Sequence, residues 1–84
     1  MQIYVATFFT HYGAMKFSFL CERAGVAAKQ APVPRALGSS CGTCVYFEAA
    51  AWDAVSELED MEACFLCGDN DYIRVYTHPE CFDE

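Results

Sequence analysis

The order of hydrophobic and polar positions changes character several times along this chain, and each change predicts an element. Residues 2–9, QIYVATFF, are crowded with β-branched and aromatic side chains and predict a first strand. From Thr10 the pattern moves to steps of three and four. Ala14, Phe17, Leu20, Cys21 and Ala24 share one face of a helix that Thr10 caps and Gly25 ends. Cys21, on that stripe, reads as a core residue. Met15 and Phe19 fall off it and mark a candidate surface for a second subunit, a homodimer. Residues 26–31 predict a second strand, closed by Pro32 and Pro34, and residues 43–48, TCVYFE, a third. From Ala49 a second helix is expected. Its stripe is Ala51, Val55, Leu58 and Met61, with Trp52 beside it and Glu57, Glu59 and Asp60 facing water. The stripe extends through Phe65 and Leu66 to Gly68, so the longer helix is preferred. The alternative ends it near Glu62 and begins a short strand over 64–67. Residues 68–71, GDND, are a turn, and 72–77 alternate like a last strand.

The resulting order, β-α-β-β-α-β, predicts an α+β fold: a ferredoxin-like sandwich with one antiparallel sheet and both helices on one face. Residues 1–77 form the single domain and 78–84 a C-terminal tail. This topology gathers Thr10, His11, the loop around Cys41 and the Cys64/Cys67 segment at one end of the sheet. His78 and Cys81 are expected at the other end unless the tail folds back.

Composition narrows the class. In 84 residues, 55% are apolar and 20% charged, enough for a core and too few charges for a disordered chain. A net charge of -7 disfavours nucleic acid and anionic membrane as partners. No apolar run is long enough to span a bilayer, and the N-terminus lacks the basic and small-residue signature of a signal peptide. The expected location is the cytoplasm, where structural disulfides are rare. The six cysteines then point to metal, redox or persulfide chemistry, or to burial as small hydrophobes.

The chemistry is concentrated in residues 31–44, APVPRALGSSCGTC. Prolines stiffen this loop, and Gly38, Ser39, Ser40 and Gly42 let backbone N–H groups turn toward a bound group. A thiol at Cys41 among such donors, near Arg35 and a helix N-terminus, ionises more readily. His11, at the same end, is a candidate base or hydrogen-bond donor. Two further readings follow from spacing. Cys41-x-x-Cys44 and Cys64-x-x-Cys67, with residues 45–63 between them, have the spacing of a four-thiolate zinc site, or less readily of an iron–sulfur cluster. Cys41-Gly-Thr-Cys44 also reads as a dithiol–disulfide pair, although a strand-like segment follows it rather than a helix. No serine–histidine–acid grouping and no phosphate-binding glycine loop is present, so a stand-alone hydrolase or nucleotide enzyme is not expected. A non-catalytic interaction module remains an alternative, and the acidic second helix is a candidate dock for a basic donor enzyme.

The segments IYVATFFTHYGAMKFSFLCERAGV, APVPRALGSSCG and VYFE, together with the helix expected after them, resemble the selenium/sulfur carrier-like family of small bacterial proteins. The run P-V-P-R-x-L-x-S-S-C-G is the specific part of the match. The resemblance implies that Cys41 carries a sulfur or selenium atom as a persulfide or selenosulfide. It also implies that Arg35, Ser39, Ser40 and Gly42 form the loop around it, and that the partners are a donor and an acceptor protein. No cofactor is required. The chain departs from the family pattern at Cys44, which turns S-S-C-G into C-G-T-C, and at 62–71, a longer segment that adds Cys64 and Cys67.

Overall fold

The computed structural model describes residues 1–38, 40–55 and 59–81, with Cys81 described in its backbone only. The elements are β1 (Gln2–Phe8), α1 (His11–Arg23), β2 (Ala27–Pro32), β3 (Thr43–Ala49), β4 (Met61–Cys67), β5 (Tyr72–Thr77) and a short 3-10 turn (Pro79–Cys81). The fold is α+β: one antiparallel sheet of five strands in the order β2-β3-β1-β4-β5, with α1 against it.

Local chemistry explains α1. The extended Thr10 (φ -133, ψ 156) caps it, its hydroxyl accepting from Gly13 N at 3.0 Å. At the other end Gly25 takes φ +77, while Gly25 N bonds Glu22 O and Val26 N bonds Cys21 O, a Schellman ending that turns the chain into β2. Ala14, Phe17 and Cys21 are buried, and Met15 and Phe19 stand exposed together with Tyr12. The face that α1 covers holds the larger core. There Tyr4 stacks on Phe47, and Phe17 sits between Phe8 and Phe47.

The second helix is corrected. Residues 61–67 are a strand, and residues 50–55 and 59–60 are turns and bends, so α1 is the one α-helix among the described residues. Leu58 and Glu57, part of the expected stripe, lie outside the described residues. The physical reason is that β1 is central and needs a partner on both edges. The sequence MEACFLC is apolar toward both faces and supplies that partner, and the turn Gly68 N to Asp71 O (2.9 Å) lets β5 pair beside it as a hairpin. The expected neighbours of β1 are the strands over 43–48 and 72–77; the first is present, but β4 takes the place of the second. The strand over 72–77 is simply displaced outward by one place. The stretch before β4 still covers the helix side of the sheet: Val55 is buried there, and Trp52 stacks on Tyr76 at 4.8 Å.

Two bulges interrupt the ladders. Thr7 pairs with Ala63 and Phe8 with Met61, which leaves Glu62 as an extra residue on β4. Cys64 pairs with Tyr76 and Phe65 with Arg74, which leaves Val75 extra on β5. The face away from α1 carries Val5, Cys44, Ala63 and Phe65, with Val33 and Leu37 of the β2–β3 loop laid against them.

Candidate functional site

The β2–β3 loop is tied at its base, where Val33 N donates to Gly42 O at 3.1 Å, and tightened by Leu37 N to Pro34 O at 3.0 Å. Gly42 has φ +77, a left-handed conformation that lets the chain turn from Cys41 into β3. Cys41 is half-buried just before that turn, against the edge of the helix-side core, and its thiol donates to Thr43 O at 3.4 Å. The start of α1 meets the same place: His11 Nδ1 lies 3.1 Å from Thr43 Oγ1.

The other flank is held by a residue that sequence reasoning missed. Ser40 donates from its amide to Glu62 Oε1 (3.1 Å) and from its hydroxyl to Glu62 Oε2 (2.9 Å). Glu62 is the bulged residue of β4, which is how a strand residue between two buried neighbours reaches a loop. No periodicity reveals it, because a bulge is a property of pairing register. Asp60, also missed, accepts from the Thr10 hydroxyl, while its carbonyl accepts from Phe9 N at 3.0 Å, fixing the β1–α1 corner.

The expected convergence is therefore real for His11, Ser40, Cys41 and Gly42, and for Thr10. Arg35 stands exposed in the Pro34–Leu37 turn. Ser39 lies outside the described residues. His78 is also at this end: its amide donates to Glu62 O at 2.9 Å, and its ring meets Phe9 edge-on at 5.1 Å. The expectation that it sits at the far end is corrected by the added strand, since β5 finishes where β4 begins.

The remaining cysteines are sorted by face. Cys44 is fully buried on the helix-free face, donating to Pro32 O at 3.6 Å. Its thiol is pushed up to about 11, by burial first and then by the Cys67 and Cys41 thiols. Cys64 is fully buried on the helix side and is pushed up to about 12, mainly by burial. Cys67 is half-buried toward the other end of β4, where it pairs with Tyr72, and burial raises its thiol too. The four-thiolate arrangement is thus not assembled: Cys64 lies on the face opposite Cys44, and β4 begins at Met61, so it carries Cys67 away from the loop. Among the described residues no group of three or more histidine, cysteine, aspartate or glutamate side chains is placed to hold a metal ion. As the second member of a dithiol pair, Cys44 is protonated and sealed at neutral pH, so disulfide exchange would require the start of β3 to open.

No helix is long and apolar enough to cross a membrane among the described residues. No curated protein and no solved structure matches the chain. A family model does match, over residues 3–62, and its description is "Putative Se/S carrier protein-like". That span takes in all but the first residue of β1, and α1, β2, the Cys41 loop, β3 and the Glu62 bulge, and leaves His78 outside. By that match, which covers well over half of its length, the chain belongs to the Se/S carrier protein-like family.

Proposed function

We propose that this protein is a sulfur or selenium carrier that holds the transferred atom on Cys41. The thiolate of Cys41 attacks the outer sulfur of a donor persulfide, R–S–SH. A new S–S bond forms on Cys41, the donor's S–S bond breaks, and R–S⁻ leaves. The sulfane sulfur keeps its oxidation state, and the acceptor takes it by the same exchange. A selenium atom follows the same path as a selenosulfide. Donor and acceptor proteins would approach the end of the sheet where Cys41 lies.

One observation supports this reading above the rest: the contrast between cysteines. Cys21, Cys44 and Cys64 are fully buried with thiols raised to about 11 or 12. Cys41 instead sits half-buried on a tethered turn with a polar neighbour, where Ser40, Gly42 and the start of α1 meet. An anionic sulfur there lies beside a helix N-terminus, which favours negative charge.

The test is intact mass after exposure to inorganic polysulfide. The expected result is a gain of about 32 Da for one sulfur, or about 80 Da for one selenium when the donor is a selenosulfide, R–S–SeH, whose R–S⁻ leaves, reversed by excess thiol. The gain should vanish in Cys41→Ser and persist in Cys44→Ser. A gain that survives Cys41→Ser would overturn the assignment.

A further inference from the structure

The face of the sheet away from α1 carries an open cleft of about 900 Å³. Its floor is Thr7, Ala63 and Phe65. One wall is the Ala36–Gly38 stretch of the Cys41 loop, and the other is β5 with the β4–β5 turn. Among the described residues, the charged groups that line it are Glu62 at the loop end, Arg74 in the middle and Asp71 at the far end, with Arg74 the one cation.

The bulges explain why charge collects here. Tyr76 pairs with Cys64 and belongs, with Val75, to the helix-side core. An unbroken β5 would alternate, placing Val75 on the cleft side and Arg74 back with the helix. The extra residue lets Val75 and Tyr76 both serve the core and delivers Arg74 opposite Phe65. Its guanidinium lies 5.0 Å over the Phe65 ring and donates to Thr77 Oγ1 at 3.0 Å. A guanidinium held over an aromatic floor and anchored at one nitrogen has further N–H groups to offer a planar carboxylate. Asp71 is held over the turn, its carboxylate folded against Gly68 where a Cβ would collide with it. The cleft then runs from this pair toward Glu62, which grips Ser40, the residue beside Cys41.

We propose that this cleft binds a small thiol of amino-acid type: its carboxylate on Arg74, its ammonium at Asp71, and its sulfur directed along the cleft to the Cys41 loop. The mixed lining favours a zwitterion over a simple anion, since carboxylates stand on both sides of the cation. The cleft has room for a short peptide thiol as well as a single amino acid. The sulfur's purpose rests on the carrier reading, whereas the recognition of the head group does not.

The test uses S-methyl-L-cysteine, which has the head group and cannot exchange sulfur, titrated into the full chain by calorimetry or amide chemical shifts. The expected result is binding that is unchanged in Cys41→Ser and weakened about tenfold or more in Arg74→Gln, with Arg74→Lys intermediate. Asp71→Asn should weaken it, and so should an N-acetylated probe without the ammonium. Arg74 and Asp71 are exposed, so folding is checked simply by circular dichroism. Absence of binding, or binding indifferent to Arg74, overturns the proposal. Equal binding of the acetylated probe overturns the ammonium contact. Binding that depends on Arg74, in a protein whose Cys41 never gains sulfur, supports the cleft and removes the carrier reading instead.

Discussion

The Glu62 carboxylate takes both hydrogen bonds that Ser40 can donate, one at 3.1 Å from the amide and one at 2.9 Å from the hydroxyl. A strand residue thereby fixes the loop residue next to Cys41. Hydrogen bonds to a carboxylate contribute about 1.5–3 kcal/mol, more than neutral ones. Glu62→Ala should therefore speed exchange of the Ser40 amide by about tenfold or more while leaving most β1 and β3 amides unchanged. Amide hydrogen exchange checks this, and equal protection in the variant would show that the loop is held by other contacts.

A substitution that ordinarily helps a helix should hurt this one. Gly→Ala within a helix gains about 1 kcal/mol from propensity. At Gly13 the new Cβ would fall on the Asp60 side chain, 2.6 Å from its Cγ and 2.7 Å from its Cβ. Asp60 would have to swing away and release the Thr10 hydroxyl, which caps α1. A lost cap, up to about 2 kcal/mol, outweighs that gain, so we expect Gly13→Ala to lower stability by up to about 1 kcal/mol. In an Asp60→Ala background the same change should become neutral or stabilising. Denaturant unfolding of the four proteins of this cycle decides the matter.

Gly42→Ala tests the turn itself. Nothing lies within 4 Å of a Cβ built there, so crowding is absent and the cost is the positive φ alone. That strain is about 1–2 kcal/mol. The chain should fold with a modestly lower Tm, and Cys41 should load sulfur more slowly because the approach to β3 must adjust. A Tm equal to that of the parent would mean that the turn relaxes to negative φ.

The buried thiols set an alkaline limit. Cys21 and Cys44 are raised to about 11 and Cys64 to about 12, against 9.0 for an ordinary thiol. The unfolded chain loses these protons first, so above about pH 9 the folded state binds more protons and stability falls as pH rises, until the folded thiols also ionise. Below that value the thiols are protonated in both states and contribute no slope. Thermal unfolding under reducing conditions should show a falling Tm from about pH 9 to about pH 11, with each unit of a thiol's displacement worth about 1.4 kcal/mol. Tyr46, raised to about 12 chiefly by burial, extends the decline at the top of this range. Cys64→Ala should make the alkaline slope shallower than in the parent.

Much of this architecture was legible in the residues. Strand-like composition located β1, β3 and β5 to within a residue. The Ala14–Phe17–Cys21 stripe with its Thr10 cap and Gly25 stop located α1. Residues 61–67 were illegible for a physical reason: a strand buried on both faces has no alternation, and Met61 also continues a helical spacing from Ala51 and Val55. That single ambiguity moved the tail to the wrong end; the four-cysteine reading came instead from C-x-x-C spacing, and among the described residues those thiols are not placed to hold a metal ion. Cys41 and its neighbours were visible because loop chemistry is written in adjacent residues. Glu62 and Arg74 were not, because their positions depend on how strands slip against one another.

The slip at Val75 carries a wider consequence. If β5 kept all its residues but paired without the bulge, Val75 against Phe65, the charge inventory of the protein would be intact and yet the Arg74 guanidinium would move to the opposite side of the sheet. Two sequences sharing every functional letter could then differ in what they recognise. In this fold the pairing register of β5, more than its composition, is the trait by which related chains should be sorted.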